Sequence, residues 1–266
     1  MVDAPERGAP TNLRGWLSEV YIPALLAAQA EQLVRRLGER ATVDDPIFGR
    51  ASGRAGLTTQ LERASAWFGK RLGTFEPLAF TTGSDRDVTE GTLRLVLDGR
   101  PASVPVAVVA ERRPEREVEV RVYYSTHSIQ GTPTARSPLV PRDDGLGVPP
   151  PVAAHLAALS RGDVDALVAT FENGATLRDP SGVLYMKDAQ GGALRAFYEK
   201  MFASSSAGQP GIEVIKGGRA DDGSTCALEY TVARLRGRDI APQPGLAVYE
   251  RGESGLLRAA RLYHDY

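Results

Sequence analysis

The hexapeptide Ala41-Thr42-Val43-Asp44-Asp45-Pro46 returns as Ala175-Thr176-Leu177-Arg178-Asp179-Pro180, 134 residues further on. That spacing is about the length of an ordinary domain. Each copy follows two apolar helical patterns and precedes a third, after which alternating strand patterns take over. In an Asp-Pro step the proline ring crowds the preceding residue out of the α region. Each aspartate therefore closes a short strand or turn, with its carboxylate held in a fixed direction. A chain of 266 residues suits two cores better than one.

Taken in order, residues 1–10 read as a loose tail. Leu13, Trp16, Leu17, Val20, Tyr21 and Leu25 keep helical spacing, and Pro23 within them marks a kink or a new helix. Leu33, Val34 and Leu37 predict a second helix ended by Gly38. Leu57, Leu61, Ala64 and Phe68 predict a third, with Trp67 beside the stripe. Strand patterns follow near 76–81, 87–98, 102–112 and 115–125, the last two alternating as Val104/Val106/Val108 and Val118/Val120/Val122/Tyr124. Gly131 to Pro151 carries six prolines, at 133, 138, 141, 149, 150 and 151, and reads as a partly stiffened linker.

The second half repeats the order. Val152 to Leu159 predicts a helix, Asp163 an N-cap, and Val164, Leu167, Val168 and Phe171 a helical stripe. Leu194, Phe197, Tyr198 and Met201 form the third helical pattern. Strands are expected near 212–217, 225–235, 245–251 and 256–266. The expected organisation is a tail (1–10), a first domain (11–130), a Pro/Gly-rich linker (131–150) and a second domain (151–266). Three helices followed by antiparallel strands, twice over, predicts an α+β fold in two tandem domains.

Composition narrows the function class. A net charge of −1 argues against nucleic-acid binding, which favours a strongly basic face. A single cysteine, Cys226, forms no internal disulfide, so a reducing, cytoplasmic setting is expected. No run approaches the roughly 20 apolar residues of a membrane helix. Three histidines and one cysteine without ligand spacing predict no metal, and no cofactor is expected.

The second half resembles a known family. His155 to Phe171, then Ala175-Thr-Leu-Arg-Asp-Pro-Ser-Gly182, then Gly192-Ala-Leu-Arg-Ala-Phe-Tyr198 are similar to bacterial ketosteroid isomerases. These belong to the nuclear transport factor 2-like superfamily, along with SnoaL-like polyketide cyclases and limonene epoxide hydrolases. The resemblance covers most of 152–266 and, through the repeat, extends more weakly to 12–128. It implies a cone in each half, a curved antiparallel sheet wrapped around three helices and an apolar pocket. It does not fix a reaction, since this fold hosts isomerases, cyclases, hydrolases and binders.

Ketosteroid isomerases use an aspartate base with a tyrosine and a neutral aspartic acid as oxyanion donors. Carried over, the base matches Asp179 and Asp45. The tyrosine, 24 residues earlier, matches His155 in the second half and Tyr21 in the first. The neutral acid falls at Leu246 and Ala107, neither of which can donate. Each missing oxyanion donor is worth roughly 2.7–4 kcal/mol of barrier, so a true steroid isomerase is not expected. Tyr21 with Asp45 keeps more of the set, which places the surviving chemistry in the first half, in a solvent-reachable pocket between the two.

Each candidate carries two readings. Asp45 and Asp179 serve as bases or as turn anchors, Tyr21 as a cavity donor or a core aromatic, His155 as a proton carrier or a satisfied buried histidine. Arg121-Val-Tyr123 and Arg261-Leu-Tyr263 occupy matching strand positions; with Trp67 they are candidate ligand-binding residues, the alternative for the arginines being a domain interface. His127 and His264 are expected to be exposed. The function expected is cofactor-free isomerase, lyase or cyclase chemistry on a hydrophobic carbonyl compound, or binding without catalysis. The two domains are expected to pack as an intramolecular pseudo-dimer, which allows a monomer.

Overall fold

The computed structural model describes residues 16–113, 117–188, 190–203 and 210–264. The expected tail and Leu13 lie outside the described residues. Helix α1 (Trp16–Leu26) runs through Pro23, so no new helix begins there, and α2 (Ala30–Leu37) buries the predicted Leu33, Val34 and Leu37. Strands β1 (Thr42–Asp45) and β2 (Gly49–Ser52) form a hairpin across the Asp-Pro step. Helix α3 (Gly53–Gly69) follows, then β3 (Thr74–Thr82), β4 (Arg86–Leu97), β5 (Arg100–Arg112) and β6 (Val118–Tyr123).

A single turn, α4 (His127–Gln130), leads into the connector. The order then repeats as α5 (Pro150–Arg161), α6 (Val164–Ala169), β7 (Phe171–Arg178), β8 (Leu184–Met186), α7 (Gly192–Phe202), β9 (Ile212–Asp221), β10 (Thr225–Leu235), β11 (Arg238–Arg251) and β12 (Leu257–His264). Asp163 caps α6, its side chain accepting from Ala166 N at 2.9 Å. No described helix is long and apolar enough to cross a membrane.

Both sheets have six strands in the same order, β2-β1-β6-β5-β4-β3 and β8-β7-β12-β11-β10-β9. The architecture is α+β, as expected, but the sheets are mixed rather than purely antiparallel. β1 runs parallel to β6, and β7 parallel to β12. The Asp-Pro segment is thus a strand laid beside the last strand of its sheet. The two-residue periodicity of strands then divides each sheet between two environments. On β6, Val118, Val120 and Val122 belong to the core against the helices of the first half, while Tyr123 lies in a different cluster.

That cluster joins the halves. Val88, Ala107, Val109 and Tyr123 meet Ala220, Ala227, Leu246, Val248 and Tyr263, with Leu139 of the connector among them. Each sheet therefore buries one face against its own helices and the other against its counterpart. The connector is anchored as well, since Arg136 pairs with Asp44 at 2.6 Å and Leu139 and Val140 are buried.

Candidate functional site

In the second half, α5, α7 and the helix-facing side of the sheet surround a cavity of about 280 Å³. The stripe predicted on α7 supplies Phe197, Tyr198 and Met201, and α5 supplies His155, Leu156 and Leu159. Alternation on the strands brings in Val214, Tyr230, Val232, Tyr249 and Leu262. Gly245 lies opposite Tyr230 in the β10–β11 ladder. A Cβ there would sit 2.7 Å from the tyrosine Cζ, so only glycine leaves room for that ring.

The polar groups at this wall are few. His155 is 4% exposed, and burial lowers its pKa from 6.5 to about 4, so at neutral pH it is uncharged. Its Nδ1 lies 3.1 Å from Thr170 Oγ1, and that hydroxyl donates its one proton to Leu167 O at 2.6 Å. The threonine oxygen can then only accept, which fixes the proton on His155 Nδ1 and leaves Nε2 as an acceptor. The ring is held edge-on to Phe171 at 5.4 Å. A neutral histidine in this tautomer offers no donor to an oxyanion, which corrects the expectation that it could replace the missing tyrosine.

A donor comes instead from Tyr198. Its hydroxyl is buried without a hydrogen-bond partner among the described residues, and burial raises its pKa far above the usual phenol range. Tyr230 is engaged with His264 Nδ1 at 3.0 Å. Asp179 lines the cavity while anchoring the turn after β7. Its Oδ1 accepts from Ser181 N (2.9 Å), Ser181 Oγ (2.7 Å) and Val183 N (3.0 Å), and its Oδ2 from Tyr185 Oη at 3.1 Å.

Residues 152–260 match a SnoaL-like domain. The match covers less than half of the chain and includes all of the cavity lining except Leu262 and His264. No curated protein sequence matches the chain. Among solved structures, a hypothetical protein with a ketosteroid isomerase-like protein fold from Catenulispora acidiphila, in complex with trimethylamine, aligns at 18% identity over 44% of this chain and 92% of its own, with TM-score 0.37. A Mycobacterium tuberculosis protein in complex with estradiol-17beta-hemisuccinate aligns at 12% identity over 41% of this chain and 91% of its own, with TM-score 0.34. An epoxide hydrolase/cyclase-like enzyme with a role in pyran ring formation in polyether salinomycin aligns at 17% identity over 40% and 85%, with TM-score 0.33.

Outside the SnoaL-like domain, no cavity among the described residues is lined by Tyr21 and Asp45, where a solvent-reachable pocket was expected. Tyr21 is 1% and Asp45 3% exposed. Asp45 Oδ1 accepts from Ile47 N (2.8 Å), Phe48 N (3.0 Å) and Tyr124 Oη (2.7 Å). Burial raises its carboxyl pKa against those hydrogen bonds and the charge of Arg136. The core there is filled by aromatic rings. Phe48, Trp67 and Phe68 meet edge to face at 5.1–6.2 Å. Trp67 is part of that packing, with the Arg71 guanidinium 3.8 Å from its ring centroid, and does not face a ligand cavity.

The expected ligand-binding arginines and tyrosines are corrected too. Arg121, Tyr123, Arg261 and Tyr263 stand on the faces turned away from the helices and are taken up by glutamates of the opposite half, with Glu111 and Glu119 also on Arg121 and Glu250 also on Arg261. Arg121 donates to Glu229 at 2.6 and 2.7 Å, and Tyr123 to the same carboxylate at 2.6 Å. Arg261 donates to Glu90 at 2.6 and 2.8 Å, and Tyr263 to it at 2.7 Å. The interface alternative holds. Burial opposes the charge on Arg121, but Glu229 outweighs it and keeps the guanidinium pKa well above its ordinary value. Leu246 and Ala107 lie in the same interface cluster, so the acid positions carried over from the family fall on the wrong face.

Sequence reasoning missed Tyr198, Tyr249 and Gln243 as cavity residues and expected His264 to be exposed, whereas it is partly buried on the cavity wall. Tyr198 was on a predicted inward stripe. Tyr249 is two residues beyond Ala247 on the helix-facing side of β11, a face that could be assigned only once the register was known.

Proposed function

We propose that the SnoaL-like domain binds a hydrophobic molecule carrying both a carbonyl and a hydroxyl group. The observation that carries this reading is the apolar cavity of about 280 Å³ with the unpartnered Tyr198 hydroxyl at its wall. Ligand sites are typically such apolar hollows with a few convergent polar groups. A buried unmade hydrogen bond costs roughly 1–3 kcal/mol, which a ligand carbonyl at Tyr198 relieves. His155 Nε2 is the matching acceptor for a ligand hydroxyl. The test is calorimetric titration with a medium-chain 2-alkanone such as 2-octanone. Binding is expected, weakened roughly three- to tenfold by Tyr198→Phe and abolished by the cavity-filling Val214→Trp. A wild-type chain that takes up no ketone refutes it.

A second reading is supported by the asymmetry of Asp179. Among the described residues, three donors occupy Oδ1 and only Tyr185 donates to Oδ2. Oδ2 is then the oxygen that takes a proton from carbon α to a bound carbonyl, with Tyr198 donating to the enolate oxygen as charge develops. Return of the proton to another carbon completes an isomerisation; attack of the enolate carbon on a second carbonyl, whose oxygen then takes the proton from Asp179 to give a hydroxyl, completes a cyclisation.

We also propose that the two halves are tandem copies, 11–130 and 151–266, packed as an intramolecular pseudo-dimer. Support comes from the shared strand order and from the buried Arg121/Tyr123 and Arg261/Tyr263 pairs, each taken up by a glutamate of the other half.

A further inference from the structure

Gln243 and His264 line the cavity of the SnoaL-like domain and also a second hollow, of about 210 Å³. The second hollow draws on both halves and on the connector. Tyr123 and Tyr124 come from the end of the first sheet, Pro133 to Arg136 from the connector, and Ala241 to Pro244 from β11. Its polar groups are largely committed elsewhere. Tyr123 donates to Glu229 and Tyr124 to Asp45 at 2.7 Å, while Arg136 donates to Asp44 at 2.6 Å and Val122 O at 3.0 Å. What remains toward the hollow is a slot of tyrosine rings and prolines, an apolar surface continuous with the cavity wall.

We infer that cavity and slot take one elongated ligand. Resting on the cavity reading above, the carbonyl end lies at Tyr198 and an aliphatic or flat polycyclic tail passes Gln243 into the slot between the halves. The Gln243 amide, at the waist, suits a second polar atom midway along the molecule. The ligand class is therefore a long acyl or fused-ring carbonyl compound rather than a small volatile ketone. It also follows that the first half, which has no pocket lined by Asp45 among the described residues, supplies one wall of the site.

The experiment is calorimetric titration of the full chain with straight-chain 2-alkanones from 2-hexanone to 2-dodecanone. Affinity should rise roughly fourfold per added methylene and keep rising for the longest members. Ala135→Trp or Ala241→Trp, both at exposed positions on the slot wall, should halt the rise for long ketones and leave the short ones unchanged. If wild type and both variants level off at the same chain length, the slot takes no part and the inference is overturned. If even the short ketones fail to bind, the cavity reading falls and the slot with it.

Discussion

Arg121 on β6 grips Glu229 on β10 through Nε at 2.6 Å and Nη2 at 2.7 Å, and the guanidinium has no exposed surface. Arg261 on β12 repeats the pair with Glu90 on β4. A forked arginine matches a carboxylate in this way where lysine cannot. Two such pairs, buried or nearly buried between the sheets, fix how the halves meet.

Removing one member of such a pair leaves an uncompensated buried charge, at a cost of roughly 3–5 kcal/mol. Arg121→Ala should lower the urea midpoint accordingly. Arg86, whose Nε lies 3.4 Å from Glu229, keeps the loss toward the lower end. The double change Arg121→Met with Glu229→Leu should recover only part of it, because Glu111 and Glu119 keep Arg86 and Arg113 as partners while the Tyr123 hydroxyl loses its acceptor.

If the sheets satisfy one another within the chain, no outer sheet face is left for a second copy. Light scattering after size exclusion should give a monomer mass of 28.5 kDa. A dimer that dissociates on Arg121→Ala would show that the sheets pair between chains instead.

His155 makes stability depend on pH. Its pKa falls from 6.5 to about 4 on folding, so between those values the unfolded chain binds more protons than the native one. Stability therefore rises with pH through this window and is lost as pH falls from 6.5 toward 4, by roughly 3 kcal/mol in all. His155→Phe should flatten that part of the profile, read from urea midpoints between pH 4 and 7.

Asp179 and Asp45 are separated by exchange chemistry. In D2O, the second reading expects wild-type protein to speed deuterium uptake at the α-carbon of a bound 2-alkanone, followed by NMR. Asp179→Asn should remove that acceleration. Asp45→Asn, judged on its folded fraction, should keep it, because Asp45 is sealed beneath Tyr124 and the backbone of Ile47 and Phe48. Its effect should instead be a lower melting temperature.

Cys226 is fully buried in β10, and burial pushes its thiol up to about 12. The thiolate is the reactive form, so a disulfide reagent at pH 8 should titrate no thiol in native protein and one in urea.

Local chemistry wrote the element list into the sequence. The inward stripe of α7, the N-cap at Asp163, the valine alternation of β5 and β6 and the twice-used Asp-Pro step each follow from steric and periodic rules that act over a few residues. It was the family resemblance, not those rules, that put Asp179 and His155 in one cavity of the second half. The rules could not say which half keeps an open cavity, since that depends on how far side chains distant in sequence fill a volume. In the first half Phe48, Trp67 and Phe68 close the space; in the second, Phe197, Tyr198 and Met201 line an open one. Nor could the pattern say what lies opposite Arg121 and Arg261. Alternation put them on the face away from the helices, but their partners Glu229 and Glu90 arrive from strands 108 and 171 residues away, and only the packing of one sheet on the other brings those charges together.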